Sequence, residues 1–401
     1  MIVQKYGGSS VATTGKIRTV AEKIARRVKA GEKVAAVVSA MGKTTNSLIA
    51  MAEQVSSHPM PRELDMLLAT GEQVTSALLA MALYDLGIPA LSYNAFQLGL
   101  TATGSFNNAR ITDLDVTKLR SQLNRRSVLV VTGFQGITPE GDVATLGRGG
   151  SDTSAVAIAA KCGCPCEIYS DVAGVYTCDP HKFGGARKLD YITYDEMLEM
   201  ASLGAGILHS RAVEIAKKYS VDLYCGATFC DERGTSVVHS LPEWMEQPVV
   251  SGVTSDNNQM RVSIYSLPRS MEAMSALFKG LAEEDVNVDM ISTVNENGCV
   301  HLTFTVVDAR EKAVLKTIRE TLAPWQGWSV SEDRNVVKVS AVGVGMKSAP
   351  GVAARFFDAL CRSGIQMLGT TTSEIKISAL VAREDGDEAL RALVDEFGLA
   401  G

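Results

Sequence analysis

Short apolar runs alternate with longer amphipathic stretches through about the first 240 residues. Residues 2–6, 34–39, 90–93, 128–131 and 167–169 read as buried strands, being brief, continuous and mostly apolar. Segments near 15–30, 62–87, 112–124 and 151–161 carry the period of helices. Strands that alternate with helices predict an α/β fold, a mostly parallel sheet sandwiched between helical layers. Ligands of such sheets collect beyond the carboxyl ends of the strands, so the strand-exit loops are where chemistry is expected.

Past residue 240 the rhythm changes. SLPEWMEQP (240–248), with two prolines, reads as a linker or a helix ending in a turn. Two similar units follow. In the first, a strand pair spans 249–267, with a helix over 271–284, strands VNVDMIS and CVHLTFTVV, and a helix near 309–322. In the second, VVKVSAVGVG precedes a helix over 351–362, strands IQMLGTT and EIKISALVA, and a helix near 386–397. FKGLAEEDVNV (278–288) aligns without a gap on FDALCRSGIQM (357–367), so this is an internal repeat. The order βαββαβ is the split-βαβ, ferredoxin-like layout. The expected domains are therefore 1–240, 249–325 and 326–401, with strand sharing open between the two small ones. Open sheet edges seek partners, which points to pairing within the chain or in a homo-oligomer. Small repeats without a catalytic constellation suggest ligand sensing, the plainer alternative being a dimerisation platform.

Composition narrows the classes. With 39 Lys and Arg against 45 Asp and Glu, the net charge is −6, which argues against a nucleic-acid clamp or a polybasic membrane surface. A 46% hydrophobic share with 21% charged residues is globular rather than disordered. No uninterrupted apolar run approaches the roughly 18 residues of a membrane span. MIVQKYGGSS lacks the basic start and apolar core of a secretory signal, so a cytoplasmic protein without membrane or nucleic-acid partners is expected. Cys162, Cys164 and Cys166 alternate with Gly163 and Pro165, and no second pair follows to complete a zinc site. Small buried hydrophobes are the better account of them.

Neither standard nucleotide loop is present. Gly42-Lys43-Thr44 lacks the glycine that a P-loop needs at position 37, where Val37 stands, and Gly343-Val344-Gly345 runs on to Ser348 rather than to a third glycine. Two other turns carry more. Lys5-Tyr6-Gly7-Gly8 leaves the first strand, where paired glycines let backbone amides approach an anion and a lysine adds charge. Residues 147–154, GRGGSDTS, open a helix whose N-terminus suits a phosphate or carboxylate, and Arg148 could clamp a carboxylate. Asp171 and Asp179 could hold a base, a ribose or magnesium, or could simply stabilise turns.

KYGGSS, VSAMGKTTN (38–46), LLATGEQ (67–73), GFQG (133–136), TLGRGGSDTSA (145–155) and YSDVAGVYTCDP (169–180) together resemble the aspartate kinase family. That family has the amino-acid kinase fold, and the C-terminal repeats resemble its ACT regulatory domains, with NVDM (287–290) and TSEIKIS (372–378) among the matching stretches. The resemblance spans nearly the whole chain and is closest to the short, monofunctional type.

The resemblance implies ATP-dependent phosphorylation of the β-carboxylate of L-aspartate, at the entry to lysine, threonine and methionine synthesis. Lys5, Gly7 and Gly8 would sit on the transferring phosphate, and Asp152 would orient Lys5. Ser39, Thr45, Glu72, Arg148 and Ser151 would hold aspartate, with Glu72 near its amino group and Arg148 on a carboxylate. Tyr6, Ser170, Asp171, Tyr176, Asp179 and Pro180 would belong to the nucleotide site, with Mg2+ carried in by ATP rather than held by a protein site. Asn287, Asp289, Met290, Gln366 and Met367 would form the effector pocket for lysine, threonine or both. Gly206 stands where many relatives have a lysine, Ser210 where they have a proline, and His181 where an arginine is usual. Some relatives start a separate regulatory subunit at a methionine placed like Met245, although a plain linker methionine is the commoner case. The competing readings are another amino-acid kinase, and an amino-acid sensor whose nucleotide site has decayed.

Overall fold

The opening strand Ile2–Tyr6 lies inside an eight-stranded sheet in the computed structural model, which describes residues 1–401 apart from 204–207, 243, 245–247, 297 and 308–310. The strand order is Tyr191–Thr193, Thr235–Val238, Leu223–Ala227, Cys166–Ser170, Ile2–Tyr6, Val34–Val38, Val128–Thr132 and Ala90–Tyr93. All neighbours run parallel except Leu223–Ala227 against Thr235–Val238. Val34–Val38 and Val128–Thr132 are buried along their full length, as the apolar runs require when helices cover both faces.

The helix Thr14–Lys29 shows why these segments form where they do. Thr13 caps it by accepting the Lys16 amide at 3.2 Å, and Arg26, Arg27 and Lys29 face the negative end of its dipole. Its buried residues Ile17, Val20, Ala21, Ile24 and Ala25 form one stripe against Leu79 and Leu83. Burying each large aliphatic side chain there contributes about 1.5–3 kcal/mol.

Two helical expectations are corrected. The stretch 62–87 is interrupted at Ala69 and divides into Pro61–Leu68 and Thr70–Asp85. Gly71 follows two residues after the break, where the Thr70 hydroxyl donates back to the Leu67 carbonyl and Gln135 donates to the Ala69 carbonyl. The stretch 112–124 begins as the strand Arg110–Leu114, and the helix Val116–Arg125 starts only after Asp115, which accepts the Lys118 amide at 2.8 Å. The structure adds a four-stranded sheet ordered Arg110–Leu114, Leu100–Thr103, Gln135–Ile137, Val143–Thr145, whose strands of three to five residues carry too little period to be predicted from sequence. Helix 61–85 as a whole has an 18-residue window of mean hydropathy 1.4, long and apolar enough by composition to cross a membrane. Half of that window is buried, and Asp65 and Glu72 are buried on this helix, as in a core helix.

Contacts divide the chain into two units. The first holds Met1–Tyr176, Lys188–Ser202, the helix Ser210–Tyr219 and the strands that follow it to Val238. The second holds Thr177–Arg187 and every element from Gly252–Asp256 onward.

Within the second unit, two four-stranded sheets each carry two helices. One is ordered Ser329–Asp333, Gln259–Pro268, Cys299–Val307, Val288–Glu296; the other Gly252–Asp256, Val336–Val342, Lys376–Ala382, Met367–Thr372. Position for position these are the same layout. The second sheet, however, draws its outer strand Gly252–Asp256 from before the first repeat, so 249–267 is not one strand pair, and the first repeat is nested inside the second. The 325/326 boundary cuts through this arrangement, because Ser329–Asp333 pairs with Gln259–Pro268.

Candidate active site

A cleft of about 670 Å³ opens at the carboxyl ends of Ile2–Tyr6 and Val34–Val38. It brings together Lys5, Gly8, Ser39, Thr45, Glu72, Arg148, Ser151 and Asp152, eight of the residues expected to act on phosphate or aspartate. They come from four separate stretches of chain.

Lys5 Nζ lies 2.6 Å from Asp152 Oδ1, with the two side chains 12% and 10% exposed. Asp152 stands in the first turn of the helix Gly150–Cys162, whose cap residue Gly149 has φ 65°. The glycines keep this corner open. A Cβ on Gly8 would come 3.0 Å from the Ala40 carbonyl oxygen, and one on Gly7 would come 3.3 Å from Lys5 Nζ. A Cβ on Gly149 would fall 2.1 Å from the Cβ of His209. The lysine, the glycine amides and the helix N-terminus thus form a positive corner suited to phosphate.

Glu72 is 3% exposed. Its Oε1 accepts the Ala40 amide at 2.9 Å, while Oε2 has no hydrogen-bond partner. Burial pushes its carboxyl up to about 7, against the lowering effect of that amide. A buried carboxylate with one free oxygen is a receptor for a cation. Exposed Arg148 lines the same cleft, giving a second charged point of opposite sign.

Sequence reasoning missed Asn107, Phe134 and Thr145, which also line the cleft. Phe134 has φ 70°, unusual for a bulky residue, with its amide donating to Ser154 Oγ at 3.1 Å and its carbonyl accepting from Leu146. It lies inside the GFQG stretch.

The residues expected around the nucleotide fare differently. The Tyr6 ring is fully buried and stacked on Tyr169 at 5.3 Å, and its hydroxyl donates to Gln4, so what it offers a ligand is backbone. Ser170, Asp171 and Tyr176 lie in the first unit, whereas Asp179 and Pro180 lie in the second. Asp171 is exposed, and the Ser170 hydroxyl is engaged with Val172. Asp179 Oδ1 accepts the His181 amide at 2.9 Å, which is a turn-stabilising role. Gly206 and Met245 lie outside the described residues. Among the described residues, no group of three or more His, Cys, Asp or Glu side chains could hold a metal ion. Cys162 and Cys166 are buried, and burial pushes the Cys162 thiol up to about 11.

In the second unit, Asn287 and Gln366 occupy matching positions just before the edge strands Val288–Glu296 and Met367–Thr372. Both strands shift register at their start, beside Asp289 and Met367 respectively. Met290 has φ 50°. Asp289 Oδ2 meets Lys338 Nζ at 2.8 Å, and Lys338 is 4% exposed. Burial raises the Asp289 carboxyl, but the Lys338 hydrogen bond and charge outweigh it and hold the group below its ordinary value.

Comparison with known proteins agrees with this geometry. Residues 1–226 match the amino acid kinase family and residues 339–397 an ACT domain. The chain is 45% identical to an aspartokinase of Bacillus sp. (strain MGA3), covering 100% of this chain and 98% of that protein. It is 44% identical to an aspartokinase of Mycolicibacterium smegmatis, covering 100% and 97%. Among solved structures, aspartate kinase from Synechocystis is 37% identical with a TM-score of 0.56, covering 100% of this chain and 69% of that one. E. coli aspartokinase III in complex with aspartate and ADP shares the fold, with a TM-score of 0.83 at 22% identity over 99% of both chains. A chain with an amino acid kinase domain, ACT sequence and aspartokinase relatives along its whole length belongs to the aspartokinase family.

Proposed function

We propose that the cleft transfers the γ-phosphoryl group of ATP, bound with Mg2+, to the β-carboxylate of L-aspartate, forming 4-phospho-L-aspartate. The observation that carries this reading is the Lys5–Asp152 pair beside the Gly7-Gly8 turn, in one cleft with Glu72 and Arg148.

A carboxylate needs no strong base to become a nucleophile, since free aspartate titrates near ~4. The difficulty is to bring one anion against another. Catalysis is then mainly positioning and charge neutralisation, supplied by Lys5, the glycine amides and the metal that arrives with the nucleotide. Glu72 takes the substrate ammonium and Arg148 a carboxylate, so a zwitterion is preferred over a plain dicarboxylate. Ser39, Thr45 and Ser151 complete the acceptor side. Ser170, Asp171 and Tyr176, all in the first unit, serve the nucleotide.

Asn287, Asp289, Met290, Gln366 and Met367 are the proposed contacts for lysine or threonine as effector. Inhibition follows only if the effector binds one arrangement of the enzyme better than another. The exposed edge strands Val288–Glu296 and Met367–Thr372 suit assembly into a homo-oligomer.

The test is an aspartate-, ATP- and Mg2+-dependent hydroxamate assay, repeated with lysine and with threonine. Aspartyl hydroxamate that falls with one effector supports the reading and names the regulator. Absence of product with both ATP and GTP would sink it, favouring a different acceptor or a sensor.

A further inference from the structure

Asp65 is fully buried on the helix Pro61–Leu68, and it is not part of the cleft wall. Both of its oxygens are used. Oδ1 accepts from Thr145 Oγ1 at 2.8 Å and Oδ2 from the Thr145 amide at 2.6 Å, while the Asn107 amide reaches both, at 3.2 and 2.9 Å. No cation supplies any of these hydrogen bonds.

The groups it holds belong to Asn107 and Thr145, both of which line the cleft. Asn107 is in the left-handed region, φ 65°, and its carbonyl lies against Gly147, where a Cβ would come within 2.7 Å. Thr145 begins the stretch Thr145-Leu146-Gly147-Arg148. Asp65 therefore clamps the loop at Asn107 to the turn that presents Arg148. Its own helix ends at Leu68 and is joined only by Ala69, whose carbonyl is held by Gln135 Nε2 at 3.2 Å, to Thr70–Asp85, which carries Glu72. One buried carboxylate thus ties the element bearing Glu72 to the turn bearing Arg148.

We infer that Asp65 is a positioning residue for the acceptor: it sets the separation of Glu72 and Arg148, and thereby the fit of an α-amino dicarboxylate. This rests on the aspartate-phosphorylating reading. A buried acceptor cannot be exchanged for a donor without leaving amides unpaired, so Asp65→Asn turns an NH2 toward groups that are themselves donors. Small displacements of binding groups are costly, up to about a hundredfold for 1 Å at a reacting centre.

The test is steady-state kinetics of the full-length chain. Asp65→Asn is expected to raise the KM for aspartate roughly tenfold or more while the KM for ATP stays within about twofold. Thr145→Val keeps the amide and removes only one hydrogen bond to Asp65, so it tests the same clamp should Asp65→Asn fail to fold. Its expected aspartate KM is about three- to fivefold raised, again with the ATP value unmoved. Arg62→Ala is the control, since Arg62 anchors the same helix through its ion pair with Asp142 without touching the cleft residues. It should leave the aspartate KM within about twofold. Equal rises in both KM values, or the same shift in Arg62→Ala, would overturn the inference by showing a general structural role. An unchanged aspartate KM in both Asp65→Asn and Thr145→Val overturns it too. An inactive wild-type chain would instead fail the functional reading itself.

Discussion

Thr177 donates its hydroxyl hydrogen to the carbonyl of Leu399 at 2.8 Å, across 222 positions of sequence. The same oxygen accepts the Arg187 amide at 3.0 Å, and the Thr177 carbonyl accepts from Val253 at 2.7 Å. The segment Thr177–Arg187, which carries Asp179 and Pro180, is thus built into the second unit, where Cys178, Phe183 and Ala186 pack in the apolar core. Thr177→Val would leave both the Leu399 carbonyl and the Arg187 amide without this partner. It should destabilise the second unit by about 1–3 kcal/mol in denaturant unfolding. An unfolding midpoint equal to wild type would show that the hydroxyl is dispensable.

If Lys5 faces the transferring phosphate as proposed, Lys5→Ala should lower kcat by at least about a hundredfold, because that charge is lost where little else can replace it. Aspartate affinity, measured by calorimetry, should stay largely intact, since Glu72 and Arg148 remain. A kcat close to wild type would remove Lys5 from the phosphate.

Burial pushes Glu72 up to about 7, so near neutral pH the group divides between acid and carboxylate. Only the carboxylate attracts the substrate ammonium. Below about 7 the apparent KM for aspartate should therefore rise, approaching about tenfold per pH unit. Glu72→Gln should raise the KM at all pH values and flatten its dependence. The same shift opposes folding in the other direction. The unfolded chain ionises this group near its ordinary 4.5, so its contribution to stability is present below 4.5 and declines as pH rises toward about 7. A pH-independent aspartate KM between 5.5 and 8, a range of roughly one to two units about the group's pKa, would remove Glu72 from the ammonium site.

Asp289→Asn should destabilise the second unit at neutral pH, because Lys338 would be left as a nearly buried charge without its carboxylate. Asp289 itself is 45% exposed, so water moderates the loss to about 1–3 kcal/mol. The wild-type carboxyl is held below its ordinary value. Its stabilising contribution is accordingly present above the ordinary carboxylate range and lost as pH falls through the lowered value. The difference between variant and wild type in thermal melts should shrink on acidification, and a difference that is constant with pH would point to packing instead.

Much of the candidate cleft was legible because its residues are local in sequence. Lys5, Gly7 and Gly8 are adjacent at the exit of one strand, and Gly149 to Asp152 open one helix. The Tyr6 side chain, between Lys5 and Gly7, alternates to the other face of its strand and is buried in the core, which the motif alone does not show. Asp65 and Phe134 stayed hidden because a carboxylate in an amphipathic helix and a phenylalanine in a loop have no pattern of their own. Their meaning comes from Thr145, Asn107 and Ser154, residues 20–80 positions away.

By itself the sequence determined the alternation of strands and helices, the existence of two related C-terminal repeats and the glycine-rich corner at Gly7-Gly8, since apolar period and backbone permissiveness act over a few residues. Only the tertiary structure decided which strand closes which sheet. Gly252–Asp256 and Ser329–Asp333 are both five-residue edge strands, and edge pairing is chosen by what lies beside them in space. It also decided that Thr177–Arg187 belongs with the regulatory sheets, and that one buried carboxylate ties Glu72 to Arg148. Long-range hydrogen bonds of that kind follow from the packed fold and leave no period in the chain.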